Sequence, residues 1–268
     1  MSRNIKLTLA YDGSEFRGWQ IQPGLATVQG ILAEVIGRVS GQKVLPQGSG
    51  RTDAGVHALA QVATFKTESP IPVENFLKVL NDKLPPAIRV TAAEEVSEDF
   101  HARHSAKGKT YRYRIFRGTV CSPFLWRYVT HYPFPLNEEA VFRSAEYILG
   151  EHDFTSFAAV DPDRTLRDSG LQHQSEFQDD EALNPKHATN IRTIYESVWE
   201  WDGEELIYLV RGNGFLHHMV RNLVGTFLLA GKGTIQPEDI KKILEARDRS
   251  AAGATAPANG LYLVSVEY

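Results

Sequence analysis

The chain has 268 residues, 42% of them hydrophobic, with 33 acidic against 29 basic side chains and a single cysteine. That size and apolar content suit one large or two modest globular units with proper cores and argue against a disordered chain. A lone Cys121 excludes an internal disulfide, no Cys/His cluster has zinc-finger spacing, and neither a signal-peptide core nor a bilayer-spanning stretch is present, so a cytoplasmic protein without a structural metal is expected.

Taken in chain order, residues 5–11 alternate as a strand, and Thr27 suits the N-cap of a helix that carries Val28, Ile31, Leu32, Val35, Ile36 and Val39 on one face. Residues 61–66 form a second strand, 73–84 a helix stopped by Pro85 and Pro86, and 88–96 a further strand. A strand over 110–116 follows. A helix then opens at Asn137, with Glu138 and Glu139 in its favourable first turn and Gly150 beyond its end. Residues 191–201 and 204–211 read as a hairpin about Asp202-Gly203. A long apolar helix over 215–230, a shorter one opening at Pro237 and a strand over 260–268 complete the series. The pattern predicts an α+β protein of two similar halves, 1–105 and 106–268, with helices packed on a largely antiparallel or mixed sheet. Residues 161–188 are polar and aperiodic, which reads as a mobile surface insertion, with a functional lid as the competing role.

The densest chemistry lies in Gly48-Ser-Gly-Arg-Thr-Asp-Ala-Gly-Val-His57, where Arg51 and Asp53 stand among three glycines. A connecting turn needs one glycine and one aspartate. Three glycines around an Arg/Asp pair point to a backbone shaped for close approach, hence an active-site loop; from the loop alone, a solvated turn with a weak ion pair stays open.

Charge is unevenly spread. Arg103, Lys107, Lys109, Arg112, Arg114 and Arg117 follow one another with no intervening acid, interleaved with Tyr111 and Tyr113 and preceded by Phe100 and His101, whereas residues 151–200 hold eleven acids against four bases. Cations for phosphate and flat rings for unstacked bases are what recognition of single-stranded or loop RNA requires; a strand with a solvated basic face is the alternative.

The long helix of residues 215–230 is apolar round most of its circumference, yet His217, His218, Arg221 and Asn222 share its remaining face. A buried arginine needs an anionic partner, and Asp53 is a candidate. Adjacent histidines diverge by about 100° on a helix, poor geometry for one metal, so His217 and His218 read as packing or hydrogen-bonding residues.

With these residues in view, the chain resembles the tRNA pseudouridine synthase A family. The resemblance runs through Tyr11-Asp12-Gly13, Gly18-Trp19-Gln20, the loop from Gly50 to His57, Asp99-Phe100-His101-Ala102-Arg103, and Tyr111-Arg112-Tyr113. It continues through Asp153-Phe154-Thr155-Ser156-Phe157, His217-His218-Met219-Val220-Arg221-Asn222 and Gly260-Leu261-Tyr262-Leu263-Val264, with residues 161–188 longer than the family pattern and Arg192-Thr193 resuming it.

The resemblance implies a homodimeric isomerase that converts uridine to pseudouridine at positions 38, 39 and 40 of the tRNA anticodon stem-loop, without a cofactor, in an active-site cleft between its halves. It implies Asp53 as covalent nucleophile, attacking either C6 of the base or C1′ of the sugar. Arg221 would hold that carboxylate charged and aimed, and Tyr111 would stack on the base and take the C5 proton. Arg51 would enter the stem to extrude the uridine, while Phe100, His101, Ala102, Arg103, His104 and Arg192 would face tRNA. Two other function classes are weaker. A tRNA-binding module without catalysis has no use for an acid at position 53, and a nucleotide enzyme would need the Lys-Ser/Thr ending or the Rossmann fingerprint that the glycine loop lacks.

Overall fold

The computed structural model describes residues 2–159 and 189–268. The stretch expected as an insertion, 161–188, lies outside the described residues. The chain divides into two compact units, Met1–Pro133 with Asp202–Ile207 and Pro257–Tyr268, and Phe134–Trp201 with Tyr208–Ala256. The architecture is α+β with a mixed sheet.

In the first unit the strand order is β4 (Ile88–Val96), β1 (Arg3–Tyr11), β3 (His57–Thr67), β10 (Leu261–Glu267) and β5 (Gly108–Phe116). β1 runs antiparallel to β3, pairing Leu7 with Ala63, and to β4, pairing Tyr11 with Ile88. The closing strand β10 lies between β3 and β5, parallel to the first (Tyr262↔His57) and antiparallel to the second (Leu263↔Tyr111). Short strands β2 (Gln47–Gly48) and β6 (Thr130–His131) join β3 and β5. Alternation along β1 buries Ile5, Leu7, Leu9 and Tyr11. Helix α1 (Val28–Ser40) starts where Thr27 Oγ1 accepts the N–H of Gly30, and buries Val28, Leu32, Val35 and Ile36. Helix α2 (Val73–Asn81) sets Phe76 edge-on to Phe65 at 5.8 Å.

The second unit holds β7 (Gly150–Asp153), antiparallel to β8 (Ile191–Asp202), with β8 as far as Trp201 and β9 (Glu205–Gly212) from Tyr208 on; β8 and β9 are sheet neighbours joined by a turn at Gly203, φ +60°. Helix α3 (Glu138–Glu146), capped by Asn137 Oδ1 on the N–H of Ala140, packs on α4 (Met219–Gly231), and α5 (Asp239–Ala246) follows. Trp199, Tyr208 and Phe227 form an aromatic core, with Trp199 and Tyr208 4.8 Å apart.

Two helix boundaries differ from the sequence reading. The helix expected over 215–230 begins at Met219, because His218 adopts the left-handed conformation (φ +58°), which a right-handed helix does not propagate through. Phe215 and Leu216 continue the apolar period, but periodicity reports burial, not backbone conformation. The helix expected over 73–84 ends at Asn81 and finishes as a turn in which Leu84 N–H donates to Leu80 O, since Leu84 precedes a proline.

Candidate active site

The Arg51/Asp53 loop links β2 to β3, and its backbone is gripped from several directions. The N–H of Ser49 donates to Val62 O (2.7 Å), Ser49 Oγ to Gln61 Oε1 (2.6 Å), Gln61 Nε2 to Gly50 O (2.9 Å), and the N–H of Trp19 to Thr52 O (3.0 Å). Thr52 Oγ1 and the Tyr11 hydroxyl are hydrogen-bonded at 2.8 Å. The glycines act through close approach. A Cβ on Gly48 would fall 2.6 Å from the indole of buried Trp19, and one on Gly13 would fall 1.9 Å from Val56 O. Motifs 29 and 43 residues apart in sequence therefore interlock without room for a side chain between them.

Tyr111, on β5, is 8% exposed, and its hydroxyl is pushed far above the ordinary phenol range by burial first, then by Tyr11 and Asp53. The loop acid and this buried phenol are thus within electrostatic reach of each other. Tyr11 is pushed up to about 12, chiefly by burial, against the lowering effect of its hydrogen bonds to Thr52 and Gln61. Both rings remain neutral phenols at physiological pH.

Where the loop returns to the sheet, His57 Nδ1 accepts the N–H of Gly13 (3.1 Å), Nε2 faces Arg127 O (3.2 Å), and the ring stacks on Tyr262 at 4.7 Å. An Asp12 oxygen lies 3.3 Å from the same Nδ1, an approach that would favour the imidazolium. The Gly13 N–H needs a lone pair there, however, and burial outweighs the aspartate, so His57 is held below its ordinary value as the neutral Nε2–H form. For Asp12, burial acts upward, but donors from Ser14 Oγ (2.6 Å), Ser14 N (2.9 Å) and Tyr128 (2.9 Å) prevail and hold it low. Sequence reading left Asp12, Trp19, His57 and Gln61 without roles. The surplus of glycines in both motifs was the available signal, but the partner of each close approach was not legible.

The basic run is not one surface. Strand alternation sends Lys109 and Tyr111 to one side of β5 and Arg112 and Arg114 to the other. Arg114 is a bidentate partner of Glu205 (2.7 and 2.6 Å), Arg117 donates to Tyr132 O, Arg112 lies 5.3 Å over the Tyr262 ring, and Lys109 Nζ donates to Ser49 O. Lys107 is exposed. Nearby, Phe100 packs on Tyr268 at 4.8 Å, His101 Nδ1 accepts the N–H of Arg103 (3.0 Å) and of His104 (3.3 Å), and the His101 and His104 rings lie 4.3 Å apart. Ala102 is fully buried, its N–H donating to Thr64 Oγ1 and its carbonyl accepting from Tyr268 Oη. A turn this constrained presents Arg103 and His104 from a fixed backbone.

In the second unit Arg221 occupies the first turn of α4. Its Nε donates to Ala256 O at 2.8 Å, and its own carbonyl accepts the N–H of Ala256. The next residue, Asn222, is fully buried, donating to Phe157 O and accepting from Arg249 and Thr255. His217 and His218 precede the helix instead of lying on it. Their rings therefore come to 3.9 Å and do not diverge as helical neighbours would. Arg192, on β8, is 8% exposed and donates to Thr189 O and Ile191 O (2.7 and 2.6 Å).

The α+β scaffold thus fixes one aspartate in an interlocked loop, within electrostatic reach of a buried tyrosine. A family model described as tRNA pseudouridine synthase matches residues 8–105 and 169–268. The chain is 52% identical to a tRNA pseudouridine synthase A of Solibacter usitatus, over 99% of this chain and all of that protein. It is 44% identical to one of Anoxybacillus flavithermus, over 99% of each chain, and 42% identical to one of Caldicellulosiruptor saccharolyticus, over 99% of this chain and all of that protein. The chain belongs to the tRNA pseudouridine synthase family, whose members are isomerases.

Proposed function

We propose that this chain isomerises uridine to pseudouridine at positions 38, 39 and 40 of the tRNA anticodon stem-loop, with Asp53 as nucleophile. The observation that carries the reading is the Asp53 loop, locked by Ser49, Gln61, Trp19 and Tyr11 and within electrostatic reach of Tyr111. The reaction breaks C1′–N1, turns the base and forms C1′–C5. C5 gives up a proton, N1 ends with one, and nothing is oxidised or reduced, so side chains suffice. A carboxylate forming a transient covalent bond divides the rearrangement into easier steps.

Tyr111 supplies a flat neutral ring for the extruded base, and its hydroxyl relays the C5 proton, passing its own proton on by way of solvent toward N1 as it accepts, so the phenol stays neutral. Arg51, two residues before the nucleophile, fills the stem space that the flipped uridine leaves, which offsets the unstacking cost. Phe100, His101, Arg103, His104 and Arg192 form the tRNA-facing set, with buried Ala102 anchoring the turn that carries Arg103 and His104. Arg221 pairs with Asp53 and aims it. In favour of this, a cation in the first turn of a helix opposes the helix dipole, a placement that an anionic partner offsets.

The family resemblance supports a homodimer acting in the cytoplasm. Among the described residues no helix is long and apolar enough to cross a membrane. In the first unit Val120, Phe124 and Trp126 are exposed, Phe124 at 90%, apolar surface of the sort that subunit contacts cover. Sedimentation at micromolar concentration tests the dimer.

Tritium release from tRNA carrying 5-labelled uridine tests the chemistry. Asp53→Asn should fall below roughly one per cent of the wild-type rate, since loss of a covalent catalyst costs at least several kcal/mol. Its tRNA affinity should stay within a few-fold. Higher residual turnover would refute Asp53 as nucleophile, and an unchanged pseudouridine map in tRNA from cells lacking the protein would refute the substrate.

A further inference from the structure

Residues two apart on a strand share a face, so β5 turns Lys109 and Tyr111 the same way. Tyr111 lies within electrostatic reach of Asp53, whereas Lys109 reaches the start of the same loop, its Nζ donating to the carbonyl of Ser49 at 2.7 Å. A Cβ built on Gly50 would fall 2.8 Å from that nitrogen, so the ammonium lies directly over the chain leading into Arg51. Ser49 is fully buried, with its N–H and hydroxyl spent on Val62 and Gln61, and the next carbonyl, that of Gly50, is taken by Gln61. Two successive carbonyls ahead of Arg51 are therefore held by side chains of different strands, one of them a cation. A charge-assisted bond to a carbonyl is stronger and more restrictive than a neutral one, which suits a loop whose side chains must be aimed.

We propose that Lys109 is a positioning residue for the reaction: it fixes the Ser49 carbonyl so that β5 delivers Tyr111 and the Arg51/Asp53 loop in one register, and it is not a phosphate contact of the tRNA surface. This rests on Asp53 being the nucleophile. Lys109→Met should lower the single-turnover rate at saturating tRNA by roughly 30- to 100-fold, the scale of an ångström-level misplacement. Its tRNA dissociation constant should stay within about 3-fold and its log-log salt slope should be unchanged. Lys109→Arg, which keeps a charged donor, should recover most of the rate.

Exposed Lys107 is the reference. Lys107→Ala should weaken tRNA and lower the log-log salt slope by about 0.7 to 0.9, the effect of losing one phosphate contact. The proposal is overturned if Lys109→Met shows that Lys107-type pattern, or if it melts at lower temperature with a normal saturated rate. Should Lys109→Met fail to fold, Lys109→Gln keeps a donor on a shorter stem. It should lose rate at an unchanged salt slope, and a full rate with a reduced slope overturns the proposal. An Asp53→Asn arm separates the two readings. If that variant still turns over, the nucleophile assignment fails and this proposal with it. If it is inactive while Lys109→Met is normal, only the positioning role is lost.

Discussion

Gly13→Ala tests whether catalysis depends on how closely the Asp12-Gly13 turn seats the Arg51/Asp53 loop. A Cβ at Gly13 would lie 1.9 Å from the carbonyl oxygen of Val56, and backbone cannot swing aside as a flexible side chain can. The two segments must separate by at least about 1 Å to reach even the shortest contacts found in proteins. Val56 is three residues from Asp53 and accommodates the push at the point where its N–H donates to Asp53 O (3.1 Å). A misplacement of that size in a catalytic group costs about 100-fold in rate, roughly 2.7 kcal/mol of activation free energy. Overpacking a tight contact costs about 1–3 kcal/mol of stability, or roughly 2–4 °C of Tm per kcal/mol at this size. The control is Gly24→Ala: Gly24 has φ +73° with nothing within 4 Å of the added carbon, so it meets backbone strain of about 1–2 kcal/mol without touching the loop. Single-turnover tritium release and thermal melts on both variants give the comparison. Gly13→Ala should lose about 100-fold in rate where Gly24→Ala, equally destabilised, keeps it. Equal rates in the two variants would refute the view that Gly13 sets the loop's position.

Tyr111→Phe keeps the stacking ring and removes the oxygen, so tRNA affinity should hold within a few-fold while turnover falls by at least about 100-fold; near-normal turnover would take proton transfer away from Tyr111. Arg221→Met suits a helix facing apolar neighbours and removes the charge, so the saturated rate should drop by more than 10-fold with little change in Tm. A lower Tm at an unchanged rate would show that Arg221 serves the fold instead. His57 is held below its ordinary value, so the unfolded chain binds the proton more readily than the folded one: this contribution is present above about pH 6.5 and is lost as pH falls through that value toward the folded pKa. Melting curves from pH 7.5 to 5 should show wild type losing Tm faster than His57→Phe, and parallel curves would exclude His57. Asp12, held low, adds a separate contribution present above about pH 3.9 and lost as pH falls through its depressed folded value.

Local chemistry made much of this fold legible before any coordinates. Thr27 and Asn137 cap helices because their oxygens satisfy an N–H that the first turn cannot satisfy internally, and Gly203 turns the β8–β9 hairpin at positive φ. Strand period on β1 and β4 is equally local, since each face is set by alternate residues. The Arg51/Asp53 loop stood out because its glycines had no local explanation. Strands β2, β6 and β7 span two to four residues, too few for any periodicity to declare itself.

Only tertiary structure could show that β10 inserts between β3 and β5, because a strand's own residues do not specify which partners its backbone hydrogen bonds will find. The same limit governs the charges. Six basic residues in a row look like one surface, yet alternation divides them, Glu205 takes Arg114 from 91 residues away, and the loop takes Lys109 from 60. In the helix carrying Arg221, the apolar pattern foretold burial correctly and the helix start wrongly, since the left-handed turn at His218 depends on what surrounds it. Residue types and spacing thus singled out the Arg51/Asp53 loop. What grips that loop is a set of contacts between segments distant in sequence, and those exist only once the chain has folded.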